Sequence, residues 1–332
     1  MRHPPYHLRP NKAVDRFLLV SLLNVLRKYE GVDLRDYTYY GFGGPFLEDC
    51  RLLHEYNPEI KLVSLEHDND TYKRQEFHRF SRHIEILNNS LMNFLTDFES
   101  KGRDIFWLDF TDFKLERFNE YMTVLNKVGD LSIVKITLRA QLDENPFKRE
   151  PASRELEKDI ENDKQNYLEE FRAKYGKLLR RPLDESCFSR QSIYLQLIQD
   201  MLRVKTEQAL PAAAQANVFQ VLNSSFYADQ TYMLSVTGIV CTINQIEIIK
   251  KHFRSWQYAN LDWKEPRRID VPILSVKERL HLEKLLPSET KGKDLAKALG
   301  YEIDRDHKES QRKMRYYNDF YRFYPSFVKV IF

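Results

Sequence analysis

Cysteine is scarce in this chain of 332 residues: Cys50, Cys187 and Cys241 are odd in number, widely spaced and without a CxxC pair. That pattern excludes a disulfide framework and a cysteine zinc site, and it sets the expectation of a reducing, cytoplasmic environment. Charge of one sign is also missing. With 52 basic and 49 acidic residues the formal charge is +3, too small to demand a nucleic acid, although local basic clusters remain able to bind phosphate. The opening MRHPPYHLRPNK has no apolar signal core, and no apolar run approaches the roughly 18 residues a membrane span needs. Internal repeats and low-complexity tracts are absent too. What is present is 42% hydrophobic, 30% charged and 13% aromatic residues, enough to bury a sizeable core and to argue against wholesale disorder.

The first periodic stretch follows Asn11, a candidate helix cap: Val14, Phe17, Leu18, Leu22, Val25 and Leu26 recur at helical spacing and predict a helix over about Lys12 to Tyr29. From Tyr37 short apolar runs alternate with helical stretches. TYYGFGG, KLVSLEHD, IEILNNS, DIFWLDF and SIVKITLRA read as strands, with helices near Phe46 to Tyr56, Asp70 to Phe80 and in KLERFNEYMTVLNKV. Such alternation means a parallel sheet with helices on both faces. After the helical SIYLQLIQDMLRVKTEQAL, the runs NVFQVLNSSFYAD and TYMLSVTGIVCT stand close enough to pair as an antiparallel hairpin, making seven strands. The expected fold is α/β: a Rossmann-like, mostly parallel seven-stranded sheet ending in a hairpin. The expected organisation is an N-terminal helical segment (1–36), the sheet domain (37–250) with a charged insertion near 141–180 that is either a solvated helix or a loop, and a helical appendage (251–332).

Chemistry concentrates at strand ends. Gly41, Gly43 and Gly44 lie at the first strand-to-helix junction, where missing Cβ atoms let the backbone turn tightly and approach a ligand. Glu66 ends the next strand 25 residues after Gly41, near the offset of about 20 residues typical of a ribose-binding acid. Phe46 stands where a dinucleotide fingerprint needs glycine, and no Gly-Lys-Ser/Thr follows the strand, so dinucleotide and P-loop sites fit poorly. S-adenosylmethionine has no pyrophosphate and asks only for the close backbone approach and the ribose acid.

The GFGG turn, Glu66 and the seven-strand element order resemble a class I S-adenosylmethionine-dependent methyltransferase over about Tyr37 to Thr242. More narrowly, WLDFTD, ITLRA, VPILSVKERL and YNDFYRFYP resemble a bacterial O-methyltransferase family. The resemblance implies that Gly41, Gly43 and Gly44 face the methionine and ribose of the cofactor and that Glu66 holds the ribose hydroxyls. It implies further that Asn88, Asn89 or Ser90 borders the adenine and that Asp109 borders the methyl group. The Asp109–Asp112 segment lacks the paired prolines of nucleic-acid amino-methyltransferases, and no Pro-Cys nucleophile stands near a strand end, which leaves oxygen or another nitrogen as the acceptor atom. Asp109 or Asp112 is the expected base for a hydroxyl acceptor, with His67 a second candidate or a cofactor contact.

Two basic clusters stand outside this core. Arg9, Asn11, Lys12 and Arg16 suit either an anion over the site or simple capping. The tail's Arg312, Lys313, Arg315, Tyr316, Tyr317, Tyr321, Arg322 and Tyr324 suit either a single-stranded nucleic acid or, more readily, an aromatic helix face packed on the core. Besides methyl transfer to an unidentified acceptor, a cofactor-binding scaffold subunit with a protein partner and a nucleic-acid-modifying enzyme are the alternatives these clusters raise.

Overall fold

The computed structural model describes residues 9–142, 147, 154–211 and 217–325. The first residues, the start of the charged insertion and the last residues of the aromatic tail lie outside them. The predicted parallel strands form β1 (Tyr37–Gly41), β2 (Lys61–Glu66), β3 (Ile84–Asn88), β4 (Arg103–Asp109) and β5 (Ile133–Arg139), followed by the hairpin β6 (Asn217–Ala228) and β7 (Tyr232–Thr242). An eighth strand, β8 (Arg267–Ile269), corrects the seven-strand reading: it pairs in parallel with β6, giving the order β3-β2-β1-β4-β5-β7-β6-β8. Three residues, two of them arginine, carry no period-2 signal, so only the tertiary edge of β6 makes them a strand.

Both faces of the sheet are covered, which is why its central strands read as nearly continuous apolar runs. On one face lie α1 (Pro10–Leu26), α2 (Glu48–Tyr56) and α3 (Asn69–Phe77). The other carries α4 (Leu91–Asp97), α5 (Leu115–Lys127), α6 (Arg154–Tyr175) and α7 (Gln191–Ala209). Alternation divides each strand between the two: Tyr37 and Tyr39 face α1, whereas Tyr40 joins the opposite cluster. The last helices are α8 (Ile246–Phe253), α9 (Val276–Glu283), α10 (Lys293–Leu299) and α11 (His307–Phe320). Leu282, Leu295, Met314, Tyr317 and Phe320 from this segment share one hydrophobic cluster with α1.

Asn11 does not cap α1 as expected. It sits inside the helix, donating through Nδ2 to the Ala228 carbonyl (3.2 Å) and accepting from the Val271 amide (2.8 Å). The free N–H groups of Asn11 and Lys12 donate instead to the Asp229 carboxylate, from the β6–β7 turn, at 3.3 and 3.0 Å. The charged insertion contains α6, whose Leu168, Phe171 and Tyr175 are buried at helical spacing. Among the described residues, no helix is long and apolar enough to cross a membrane.

Candidate active site

The carboxyl ends of β1, β2, β3 and β4 lie side by side, in registers that place Gly41 opposite Ser64 and Trp107, Glu66 opposite Asn88, and Asp109 opposite Thr137. The chain reverses its direction of strand addition between β1 and β4, the position where open α/β sheets leave a crevice for a ligand. Gly41, Gly43, Gly44, Glu66 and Asp109 are thereby brought together, although they are dispersed in sequence.

The glycine loop is shaped by contacts from below. Gly43 has φ +65°, and a Cβ there would stand 2.5 Å from Ser64 Oγ and 2.9 Å from a Leu47 methyl; at Gly41 a Cβ would meet the Tyr39 hydroxyl at 2.3 Å. Neither position tolerates a side chain. Gln75, fully buried on α3, donates to the carbonyls of Phe42 (2.9 Å) and Gly44 (3.0 Å) and accepts from Ser64 Oγ (2.9 Å). This residue holds the loop from behind, and sequence reasoning missed it, because a lone glutamine in a polar helix leaves no periodic mark.

Glu66 has a side chain 12% exposed and accepts from the Asp68 amide at 2.8 Å, leaving further carboxylate acceptor capacity. Adjacent His67 is 81% exposed, its Nδ1 3.5 Å from Glu66. Asn88 donates to Asn69 Oδ1 (3.3 Å), and Ser90 Oγ accepts from the Asn93 amide (3.2 Å) as the cap of α4. Asn89 is half-buried beside them.

Asp109 ends β4 in an ion pair with Lys12 of α1. Burial raises its pKa, but the adjacent Lys12 charge and hydrogen bond, with Arg16 and Lys135 farther off, outweigh that and hold the carboxyl below its ordinary value. Its Oδ1, the Tyr39 hydroxyl and the Tyr227 hydroxyl are buried without hydrogen-bond partners among the described residues. Orphaned polar groups of this kind are expensive unless a ligand or water meets them. Asp112 lies farther out, bound by Arg117 (Nε 2.8 Å, Nη2 3.2 Å) and Lys114 (3.0 Å), and the Arg117 hydrogen bond chiefly lowers its pKa. Neither carboxylate is a strong base at neutral pH.

The basic cluster of α1 reaches into this region. Arg16 pairs with Glu48 (2.7 Å) and with Asp49. Beneath them Asp15 and Lys135 form a fully buried pair (2.8 Å), with Lys135 Nζ 3.9 Å from the Trp107 ring centre and Asp15 also accepting from Ser235 (3.1 Å) and Ser225 (3.4 Å). The basic aromatic tail is largely turned inward: Tyr317 and Tyr324 are buried, Arg312 pairs with Asp270 and Glu309, and Lys313 pairs with Asp304. Arg315 is exposed, and Tyr316 and Tyr321 are half-buried against the core; the Arg322 guanidinium lies 5.6 Å from the Tyr321 ring centre.

Residues 4–332 match the model of a family described as “Putative O-methyltransferase”. No curated protein matches the chain in sequence. Fibrillarin in the fibrillarin/Nop5p complex is similar in fold at 8% identity, over 69% of this chain and 82% of that one, with a TM-score of 0.38. Cofactor-bound Rv0187 from MTB is 10% identical over 72% of this chain and 84% of that one, TM-score 0.37. The plantazolicin methyltransferase BpumL, in complex with SAH, is 9% identical over 69% and 85%, TM-score 0.35. Matched along nearly its whole length, the chain belongs to this family.

Proposed function

We propose that this protein transfers a methyl group from S-adenosylmethionine to an oxygen of an acidic acceptor, with the cofactor held along the carboxyl ends of β1 to β4. The observation that carries the reading is the juxtaposition of the positive-φ glycine turn, the largely buried Glu66 at the end of β2 and the buried, half-partnered Asp109. Gly41, Gly43 and Gly44 let the backbone come close to the cofactor, and Glu66 accepts from its ribose hydroxyls. Asn89 borders the adenine, and Ser90 supports that border through its cap on α4. His67 closes the rim from the solvent side. When bound, the cofactor supplies an electrophilic methyl on a sulfonium, and the sulfur keeps the bonding pair as the acceptor oxygen takes the carbon.

Asp109 offers its unpartnered Oδ1 to a cation or donor, and Lys12 fixes its orientation from α1. Because Lys12 depresses its basicity, Asp109 positions rather than deprotonates, and Asp112, tied to Arg117, is no better placed to take a proton. An acceptor that loses its own proton readily fits such a site; an aliphatic alcohol does not. The buried, unpaired thiols of Cys50, Cys187 and Cys241 support a reducing, cytoplasmic location.

Calorimetric titration with S-adenosylmethionine and its demethylated product tests the reading. Saturable binding is expected, weakened about 10- to 100-fold by Glu66→Ala through the loss of charge-assisted hydrogen bonds. No binding by the unmodified protein would sink it.

A subunit acting through a protein partner draws on one observation: Ile273 just before α9, and Val276 and Leu280 one turn apart on it, are exposed apolar side chains. Cross-linking in cell extract, with Leu280→Glu as the control, decides that reading; capture unaffected by the substitution removes it.

A further inference from the structure

A second cavity, of about 400 Å³, opens just past the strand ends that carry Asp109. Its location follows from the chain: Asp112 continues the loop after β4, and Arg139 ends β5, whose Thr137 stands opposite Asp109. The two loops are tied together, Arg139 donating its amide to the Asp112 carbonyl at 3.3 Å. On the cofactor side, Phe42 of the glycine loop lies 5.5 Å, ring to ring, from Phe110, over which the Arg117 guanidinium stacks at 4.7 Å. Arg117 in turn grips Asp112 on the cavity wall. Packed side chains therefore run without a break from the glycine turn to this cavity.

Half of its lining is aromatic. Phe113 comes from the β4 loop, Tyr167, Phe171 and Tyr175 from one face of α6, and Tyr194 from α7. Phe113 touches Tyr175 (5.1 Å between ring centres), and Phe171 touches Tyr175 (4.7 Å). Polar groups complete the lining: Arg139 and Lys174 bring positive charge, Asp112 and Glu170 negative, and Gln141 an amide. With five rings and five polar or charged side chains in its lining, a cavity of this size can take a small molecule. Aromatic faces select flat rings over saturated ones of equal size, because offset stacking and edge contacts add to the area buried. Proton loss points the same way. With no strong base among the carboxylates, the acceptor must ionise easily, and a phenol, ionising near pH 10, does so far more readily than an alkanol.

We propose that this cavity is the acceptor site and that it takes a planar aromatic compound of one or two rings bearing a hydroxyl group. The proposal rests on the methyl-transfer reading above for the fate of that hydroxyl, but the binding of the ring stands on the cavity alone. The test uses two probes of similar volume, 2-naphthol and decahydro-2-naphthol, titrated against the full chain by ligand-observed NMR, with S-adenosylmethionine titrated in parallel by calorimetry. The expected result is at least about fivefold tighter binding of 2-naphthol, a preference removed by Phe113→Leu with Tyr167→Leu, which keeps an apolar wall but deletes two rings. Cofactor affinity in that variant is expected to be unchanged. Equal binding of the two probes, or a preference that survives the double substitution, overturns the proposal. The probe comparison on the unmodified protein decides the matter even where the variant fails to fold. A blank cofactor titration beside a clear preference for 2-naphthol supports the aromatic site and overturns the methyl-transfer reading instead.

Discussion

The two sides of the sheet meet the same strand ends with opposite chemistry. On the α1 side, Lys12, Asp15, Arg16, Asp49, Asp109 and Lys135 are paired in a nearly dry interior. On the α6 side, Phe113, Phe171, Tyr175, Phe188 and Tyr194 form a continuous ring cluster. Charges taken out of water are costly unless each finds its partner at the right distance, so the first arrangement fixes positions more than it adds stability. Rings contribute by area and tolerate rearrangement, so the second can shape a cavity without specifying each contact. One side places atoms; the other provides surface.

The sharpest way to break this contrast is to remove one member of the buried pair. Asp15→Ala leaves Lys135 uncompensated against Trp107, and urea unfolding is expected to show a loss of about 3–5 kcal/mol. A loss below about 1 kcal/mol would mean that water reaches the pair and that the α1 side is not dry. Loosening the glycine loop is expected to cost less: Gln75→Ala strands two carbonyls and the Ser64 hydroxyl, for about 1–3 kcal/mol of stability and about a tenfold weaker cofactor titration. Unaltered cofactor affinity in that variant would separate the loop's shape from binding. The smallest effect concerns the cavity wall. The native pKa of Asp112 lies below its unfolded value, so its stabilisation is full above about pH 4 and is lost as pH falls through the lower native value. Asp112→Asn is expected to be less stable than the unmodified protein by under about 1 kcal/mol at pH 7. Acid titration of unfolding should show the gap closing below about pH 4; a gap that widens in acid would contradict the assigned pairing with Arg117.

The contrast also explains what the sequence disclosed. Runs such as SIVKITLRA announce strands through apolar, β-branched content, and the GFGG turn with Glu66 announces a ligand site through spacing, because both signals are local. Lys135 inside that strand gives no hint that it is buried, since its partner Asp15 lies 120 residues away. Asn11 and Lys12 resemble ordinary capping and solvated residues, yet both are buried, satisfied by groups from β6, the β6–β7 turn and the segment after β8. In α6 the charged residues dominate the composition and mask the aromatic face, which becomes meaningful only once Phe113 and Tyr194 stand opposite it. Where two distant segments jointly make a feature, neither carries it alone.

The bond between Asn11 and the Val271 amide spans 260 positions and has a consequence for synthesis. A chain emerging from the ribosome exposes α1 long before the segment after β8, and the acceptor capacity of Asn11 waits for that later segment. Until then the helix that supplies Lys12 and Asp15 is incompletely anchored, and contacts of such long sequence separation form late because their loops are costly to close. Nascent chains halted before Val271 should therefore hold the sheet's central strands while leaving α1 open to protease, and the crevice above the glycine turn would be assembled only once the segment after β8 has emerged.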